Sequence, residues 1–192
     1  GRNIYNYLPA VAGGYPADLH LRAIVVEKLD MFPVEFIFRS RMAGSLWKEY
    51  YKKELPNPYG LTLPTELQLM SPFEESIFTP TDKSDVDDPL KAADVMALHP
   101  GACEVARDVY EKGKNFAATK GIAIIDGKFE VGLRGDGRIC LGDECLTPDA
   151  CRFVWADAIT VGQEPSWLDK QYLREEAERL WNDGKKVPLT FS

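Results

Sequence analysis

The stretch 126–152 constrains this chain more than any other. It reads Asp126-Gly127-Lys128-Phe129-Glu130-Val131, then Gly135-Asp136-Gly137, then Gly142-Asp143-Glu144 and on to Arg152. Charged and apolar residues alternate up to a glycine-rich turn, which is the pattern of a strand entering a hairpin with one face buried. On that strand Asp126, Lys128 and Glu130 share one face, while Phe129, Val131 and Leu133 take the other. A two-residue turn at Asp136-Gly137 sets Glu130 opposite Asp143. A three-residue loop over Gly135-Asp136-Gly137 with a bulge sets it opposite Gly142, with Asp143 a diagonal neighbour. The alternation of Ile139 and Leu141 favours the second register. In both registers two carboxylates come together, and like charges opposed across strands repel unless a cation lies between them. Two resolutions stay open: a hard metal such as Mg²⁺ shared with substrate phosphates, or a solvated face neutralised by Lys128.

The chain, 192 residues long, is expected to fold as an ordinary soluble globule, either one domain or one full lobe plus part of another. Residues 1–20, rich in Gly, Pro, Tyr and Asn, read as a connecting segment. Two strands follow over 21–29 and 34–39, the second alternating Val34, Phe36 and Phe38 with Glu35, Ile37 and Arg39, and Pro33 bends the chain between them. A helix is predicted over 44–51 with Ser45 as its N-cap, then a long proline-rich, mostly irregular connection over 54–90. Residues 101–119 place Ala102, Val105, Ala106, Val109, Tyr110 and Phe116 at helical spacing, ending before Gly121. A short apolar strand over 122–125 leads to the hairpin, and a charged helix runs from Pro165 to about residue 183. The class is α+β, with a large helix packed behind a β-hairpin.

A net charge of −7 argues against a broad nucleic-acid surface, which works by neutralising many phosphates. No apolar run approaches the ~20 residues a membrane helix needs. Cys103, Cys140, Cys145 and Cys151 show no C-x-x-C spacing, so free thiols in a reducing cytosol are expected rather than zinc. His20 and His99 lack partners at ligand spacing and are read as structural. Arg39-Ser40-Arg41 leads off a strand into Gly44-Ser45 at a helix start, an arrangement that suits an anion. Thr79-Pro80-Thr81-Asp82-Lys83 and Asp87-Asp88-Pro89 mix hydroxyls, a lysine and carboxylates in one long loop.

The order of these segments carries a resemblance. The run 27–35, then 39–45, then 78–83, then Asp126-Gly127-Lys128-Phe129-Glu130-Val131-Gly132, then 143–152, and last Asp169-Lys170-Gln171, resembles phosphoribosylaminoimidazole-succinocarboxamide synthase, the SAICAR synthetase family. The resemblance implies an antiparallel sheet with packed helices and a kinase-like C-terminal lobe. It implies a ligase that uses ATP to join carboxyaminoimidazole ribonucleotide (CAIR) to L-aspartate through an acyl phosphate, in purine biosynthesis in the cytoplasm. By the same resemblance, Glu27, Lys28 and Leu29 meet the adenine of ATP, and Glu130 and Asp143 carry Mg²⁺ and the ATP phosphates. Arg39, Ser45 and Arg152 grip CAIR, Asp126 and Lys128 flank the reacting carboxylate, and Lys83 and Asp88 lie in a loop near the substrate. Homo-oligomerisation stays open. Two departures stand out: Ala150-Cys151 replaces the family's serines, and no Gly-Lys-x-Lys hairpin precedes Leu21. The chain is therefore expected to be a C-terminal lobe (31–192) with a hinge strand and connecting segment (1–30), its phosphate-covering N-terminal lobe absent. A non-catalytic binding or oligomerising module and a small-molecule kinase are the competing readings.

Overall fold

The computed structural model describes residues 2–3 and 24–182. Among the described residues nine strands, all paired antiparallel, make up the sheets: β1 (Arg2–Asn3), β2 (Ile24–Val25), β3 (Asp30–Met31), β4 (Val34–Arg41), β5 (Pro72–Phe78), β6 (Thr81–Asp82), β7 (Ile122–Leu133), β8 (Ile139–Gly142) and β9 (Cys151–Trp155). Three α-helices are found among the described residues, α1 (Ala92–Leu98), α2 (Pro100–Ala118) and α3 (Lys170–Asn182), and the fold is α+β. Of the expected connecting segment 1–20, Arg2–Asn3 is strand, and the residues 4–20, His20 among them, lie outside the described residues.

The twelve-residue β7 organises the molecule. The expected apolar strand 122–125 and the hairpin strand are one continuous element, because neighbours take up both of its edges. β4 and β3 lie along one edge and β9 and β8 along the other. Glu130 pairs with Gly142 and Leu133 with Ile139, so the three-residue loop is the one formed. The Gly137 amide, at φ +82°, closes it onto the Arg134 carbonyl at 2.9 Å.

Alternation divides the sheet into two faces. Phe36, Phe38, Phe129 and Val131 turn to a core shared with Ala102, Cys103, Ala106 and Tyr110 of α2. Glu35, Arg39, Asp126 and Lys128 belong to the other face. Between Ile124 and Asp126 the pairing of β7 with β9 shifts register. There Ile124 joins the α2 core and Ile125 enters a second cluster with Ala43, Leu69, Met70, Val154 and Trp167. The Tyr110 and Ser40 hydroxyls donate to both carbonyls, of Ile124 and Ile125, at 2.9–3.3 Å. Such an irregularity re-aims side chains beside a site, and here it precedes Asp126.

Several expectations need correction. The connection 54–90 contains β5 and β6, and α1 follows it. β5 is an edge strand with Glu74 and Glu75 exposed, so its pairing with β4 makes it a strand rather than any alternation of its own. Residues 151–155 form β9 by pairing with β7. The last helix starts at Lys170 instead of Pro165, and of the span 21–29 only Ile24–Val25 is strand among described residues. The turn after Gly44 is a short π-helical segment, Leu46–Tyr51, and Ser45 makes no side-chain cap.

Candidate active site

Three charged residues lie directly across adjacent strands. Arg39 of β4 faces Asp126 of β7, and Asp126 faces Arg152 of β9. Asp126 Oδ2 accepts from Arg39 Nη1 at 2.7 Å and from Arg152 Nη1 at 2.5 Å. Their side chains are 4%, 8% and 24% exposed for Arg39, Asp126 and Arg152, so these are charge-assisted bonds largely shielded from water. Arg39 is further held by Thr79 Oγ1, the Ala43 carbonyl and Ser45 Oγ. Thus Ser45 serves the site where a cap was expected. Of the two arginines leading off β4, Arg41 turns away and donates to the Met70 carbonyl. The charge of Asp126 raises the Arg152 pKa against the opposing effect of burial.

One step along β7, Lys128 Nζ donates to Glu35 Oε1 at 2.6 Å, and Thr81 donates to Glu35 Oε2. Burial works to lower the Lys128 pKa, yet the hydrogen bond and charge of Glu35, with Asp87 and Glu130, outweigh it and raise the net value. One step further, Glu130 accepts from Lys83. The cation that pairs with Glu130 is therefore Lys83, where Lys128 or a metal had been the two options. Asp143 follows Gly142 at φ +51°, a left-handed conformation that aspartate tolerates. Leu29 lies against Gly132 and Gly142, where an added Cβ would come within 3.0 and 3.4 Å of its side chain. Glu27 pairs with Arg134, and Lys28 is exposed. Asp126, Lys128, Glu130 and Gly132 thus form a row, two residues or about 6.6 Å apart, and each carries a different part of the predicted set.

A cavity of about 180 Å³ opens over the first half of this row, lined by Arg39, Ser45, Asp126, Lys128, Arg152 and the first turn of α3. Lys170, Gln171 and Arg174 supply that turn. Asp169 holds it in place: its Oδ1 accepts from the Gln171 amide at 2.8 Å and its Oδ2 from the Phe153 amide at 2.7 Å. Burial raises the Asp169 pKa. Asp169→Ala is expected to cost about 1–3 kcal/mol, since it removes an N-cap and leaves a part-buried strand amide unpaired. Urea denaturation measures this, and an unchanged midpoint would refute the tethering role.

In the 82–89 loop, Asp87 lines the cavity, whereas Asp88 spends its amide on Asp82 Oδ1 and its carbonyl on the Asp82 amide. Cys151 also lines the cavity, and burial pushes its thiol up to about 12, so it stands there as a neutral group. All four cysteines are free, and His99 rests against Phe32 at 4.8 Å. Sequence reasoning left Glu35, Thr79 and Asp169 without roles. Glu35 carried one available signal, a lone acid among the apolar residues of β4. Among the described residues no cluster of three or more His, Cys, Asp or Glu could cage a metal. The donor set of Glu130 and Asp143 does fit Mg²⁺, which takes one or two carboxylates and completes its shell with phosphates and water.

A model of the SAICAR synthetase family matches residues 4–190. The chain belongs to the SAICAR synthetase family. It is 39% identical over 177 residues to the phosphoribosylaminoimidazole-succinocarboxamide synthase of Cupriavidus taiwanensis, covering 88% of this chain and 58% of that protein. It is 37% identical over 186 residues to the Saccharomyces cerevisiae synthase, covering 91% of this chain and 60% of the relative. Among solved structures, a yeast SAICAR synthase complexed with SAICAR superposes with a TM-score of 0.78 at 33% identity, covering 100% of this chain and 64% of the other. A SAICAR synthetase in complex with ADP gives 0.59 at 31% identity, covering 86% and 68%. The chain therefore spans about 60% of the length of the curated relatives it matches. The likeness includes the antiparallel sheet with packed helices. No helix among the described residues is long and apolar enough to cross a membrane.

Proposed function

We propose that this chain carries the ribonucleotide- and ATP-binding face of an ATP-dependent ligase that joins CAIR and L-aspartate to give SAICAR, ADP and phosphate. The observation that carries this reading is the order of groups along β7: a two-arginine anion clamp at Asp126, a lysine at Lys128, and a carboxylate at Glu130 beside the Asp143 turn. A ribonucleotide needs the first, a transferring phosphoryl group the second, and a nucleotide polyphosphate with its cation the third. The guanidinia of Arg39 and Arg152, with Ser45 beside them, present planar donor pairs to phosphate or carboxylate. Lys128 places a fixed positive charge where charge develops as a CAIR carboxylate oxygen attacks the γ-phosphorus and the bond to ADP breaks. The resulting acyl phosphate then accepts the aspartate amine at its carbonyl carbon and loses phosphate. Mg²⁺, held by Glu130 and Asp143, would neutralise phosphate charge. In this reading Glu27, Lys28 and Leu29 form the adenine-facing hinge from residues 1–30, and Lys83 and Asp88 shape the loop over the substrate. Homo-oligomerisation is compatible with it. A cytoplasmic setting is supported by the four free thiols.

The test is ADP release with CAIR, with and without L-aspartate. Turnover that ignores aspartate would refute the ligase. Binding without turnover would favour a non-catalytic module. Asp143→Asn keeps the side-chain shape and the left-handed backbone, and is expected to weaken Mg²⁺-dependent ADP binding at least tenfold with an unchanged melting temperature. Unaltered affinity in calorimetry would remove Asp143 from the nucleotide site.

A further inference from the structure

We infer that Gly44 is the seat of Arg152, a positioning residue for the ribonucleotide clamp; the inference rests on the ligase reading for its ligand but not for its geometry. Gly44 follows β4 at φ +60°. A Cβ built there falls onto the Arg152 guanidinium, 2.9 Å from Cζ and 3.0 Å from Nη2, and meets Nη1 closer still. The guanidinium is thus confined on three sides, by Asp126 Oδ2 at 2.5 Å, by the Trp167 ring with its centroid 6.0 Å from Cζ, and by the bare face of Gly44. Trp167 itself is held through Nε1 to Glu164 at 2.9 Å.

The colliding atoms belong to the free end of a long side chain, so a substitution at 44 does not break the fold. The arginine yields instead, leaving the plane that Asp126 and Trp167 define. Arg39, on the opposite side of Asp126, keeps its bonds to Thr79 and Ala43 and stays in place. One prong of the clamp is therefore displaced while the other holds. A shift of about 1 Å in a positioning group costs on the order of a hundredfold in a reaction that depends on alignment.

Gly44→Ala is expected to weaken CAIR binding at least tenfold in calorimetry, with ADP affinity unchanged. Gly121→Ala is the control. Gly121 has φ +73° and nothing within 4 Å of its added Cβ, so that variant carries the backbone strain alone and is expected to bind CAIR normally. In an Arg152→Ala background, Gly44→Ala is expected to cost no further CAIR affinity. The Arg152 Nε–Hε resonance, followed by NMR without ligand, is expected to shift in Gly44→Ala and not in Gly121→Ala. Equal CAIR affinity for the two glycine variants, an unmoved Arg152 resonance, or additive losses in the double variant would each overturn the seat. A moved resonance in a protein whose wild type binds no CAIR would uphold the seat and overturn the ligase reading.

Discussion

Asp126→Ala is expected to destabilise the chain by about 3–5 kcal/mol, the cost of stripping one partner from a buried ion pair. Asp126 Oδ2 is the carboxylate oxygen shared by two guanidinia, and the Arg39 side chain beside it is 4% exposed. Without the carboxylate, Arg39 keeps only Thr79 Oγ1, the Ala43 carbonyl and Ser45 Oγ, all neutral acceptors. Two cations then face each other across the place where β4, β7 and β9 meet. For a chain of this size the loss corresponds to a fall in melting temperature of roughly 10 °C. Urea denaturation at neutral pH measures it, and a loss below about 1 kcal/mol would mean that water reaches Arg39 and that the triad is not a structural centre. Asp126→Asn keeps the volume but removes the charge, and should fall between alanine and wild type.

If the proposed ligase reading holds, Lys128→Met is expected to lower the rate of ADP formation by about 10²–10³-fold, the usual cost of deleting one group that stabilises developing charge. The same change strips Glu35, whose side chain is 7% exposed, of its cation and leaves it only the Thr81 hydroxyl. Stability and catalysis would then fall together, so the informative variant is Glu35→Gln with Lys128→Met. That pair removes the orphaned charge, and it should recover melting temperature without recovering turnover. Recovery of both would demote Lys128 to a structural partner of Glu35. Because folding raises the Lys128 pKa above its ordinary value of 10.5, the contribution of the pair is present in full at neutral pH. It is lost only as pH rises past about 10.5 through the folded-state value. Wild type and Lys128→Met should therefore converge in stability at strongly alkaline pH.

The hairpin and the helix behind it were legible because their patterns are local and redundant. The period-two alternation over 128–133, the Gly-Asp-Gly loop and the helical spacing of Ala102, Ala106 and Tyr110 each need only neighbours in sequence to be read. Even the hairpin register followed from the alternation of Ile139 and Leu141. β5 and β9 were not legible for the opposite reason. Glu74 and Glu75 stand in the middle of β5, and β9 exists because the free edge of β7 needs hydrogen-bond partners. Of the candidate residues, Arg39, Asp126, Lys128 and Arg152 meet around one cavity, but their company was not foreseen. Glu35, Thr79 and Asp169 hold them from distant parts of the chain, and a lone acid or threonine carries no periodic signal.

Sequence alone determined which residues are charged, their order along β7, the turn between β7 and β8, and the family, since all of these are one-dimensional properties. Tertiary structure decided which charges neutralise which. It gave Asp126 to two arginines at once, Lys128 to Glu35, and Lys83 to Glu130, where the sequence offered only a choice between a metal and a solvated face. It also turned Ser45 from a helix cap into a partner of Arg39 and Gly44 from a helix start into the surface beneath Arg152. The physical reason is that ion pairs and steric seats act over a few ångströms of space. Strand pairing brings residues 39, 126 and 152 within that range however far apart they lie in the chain.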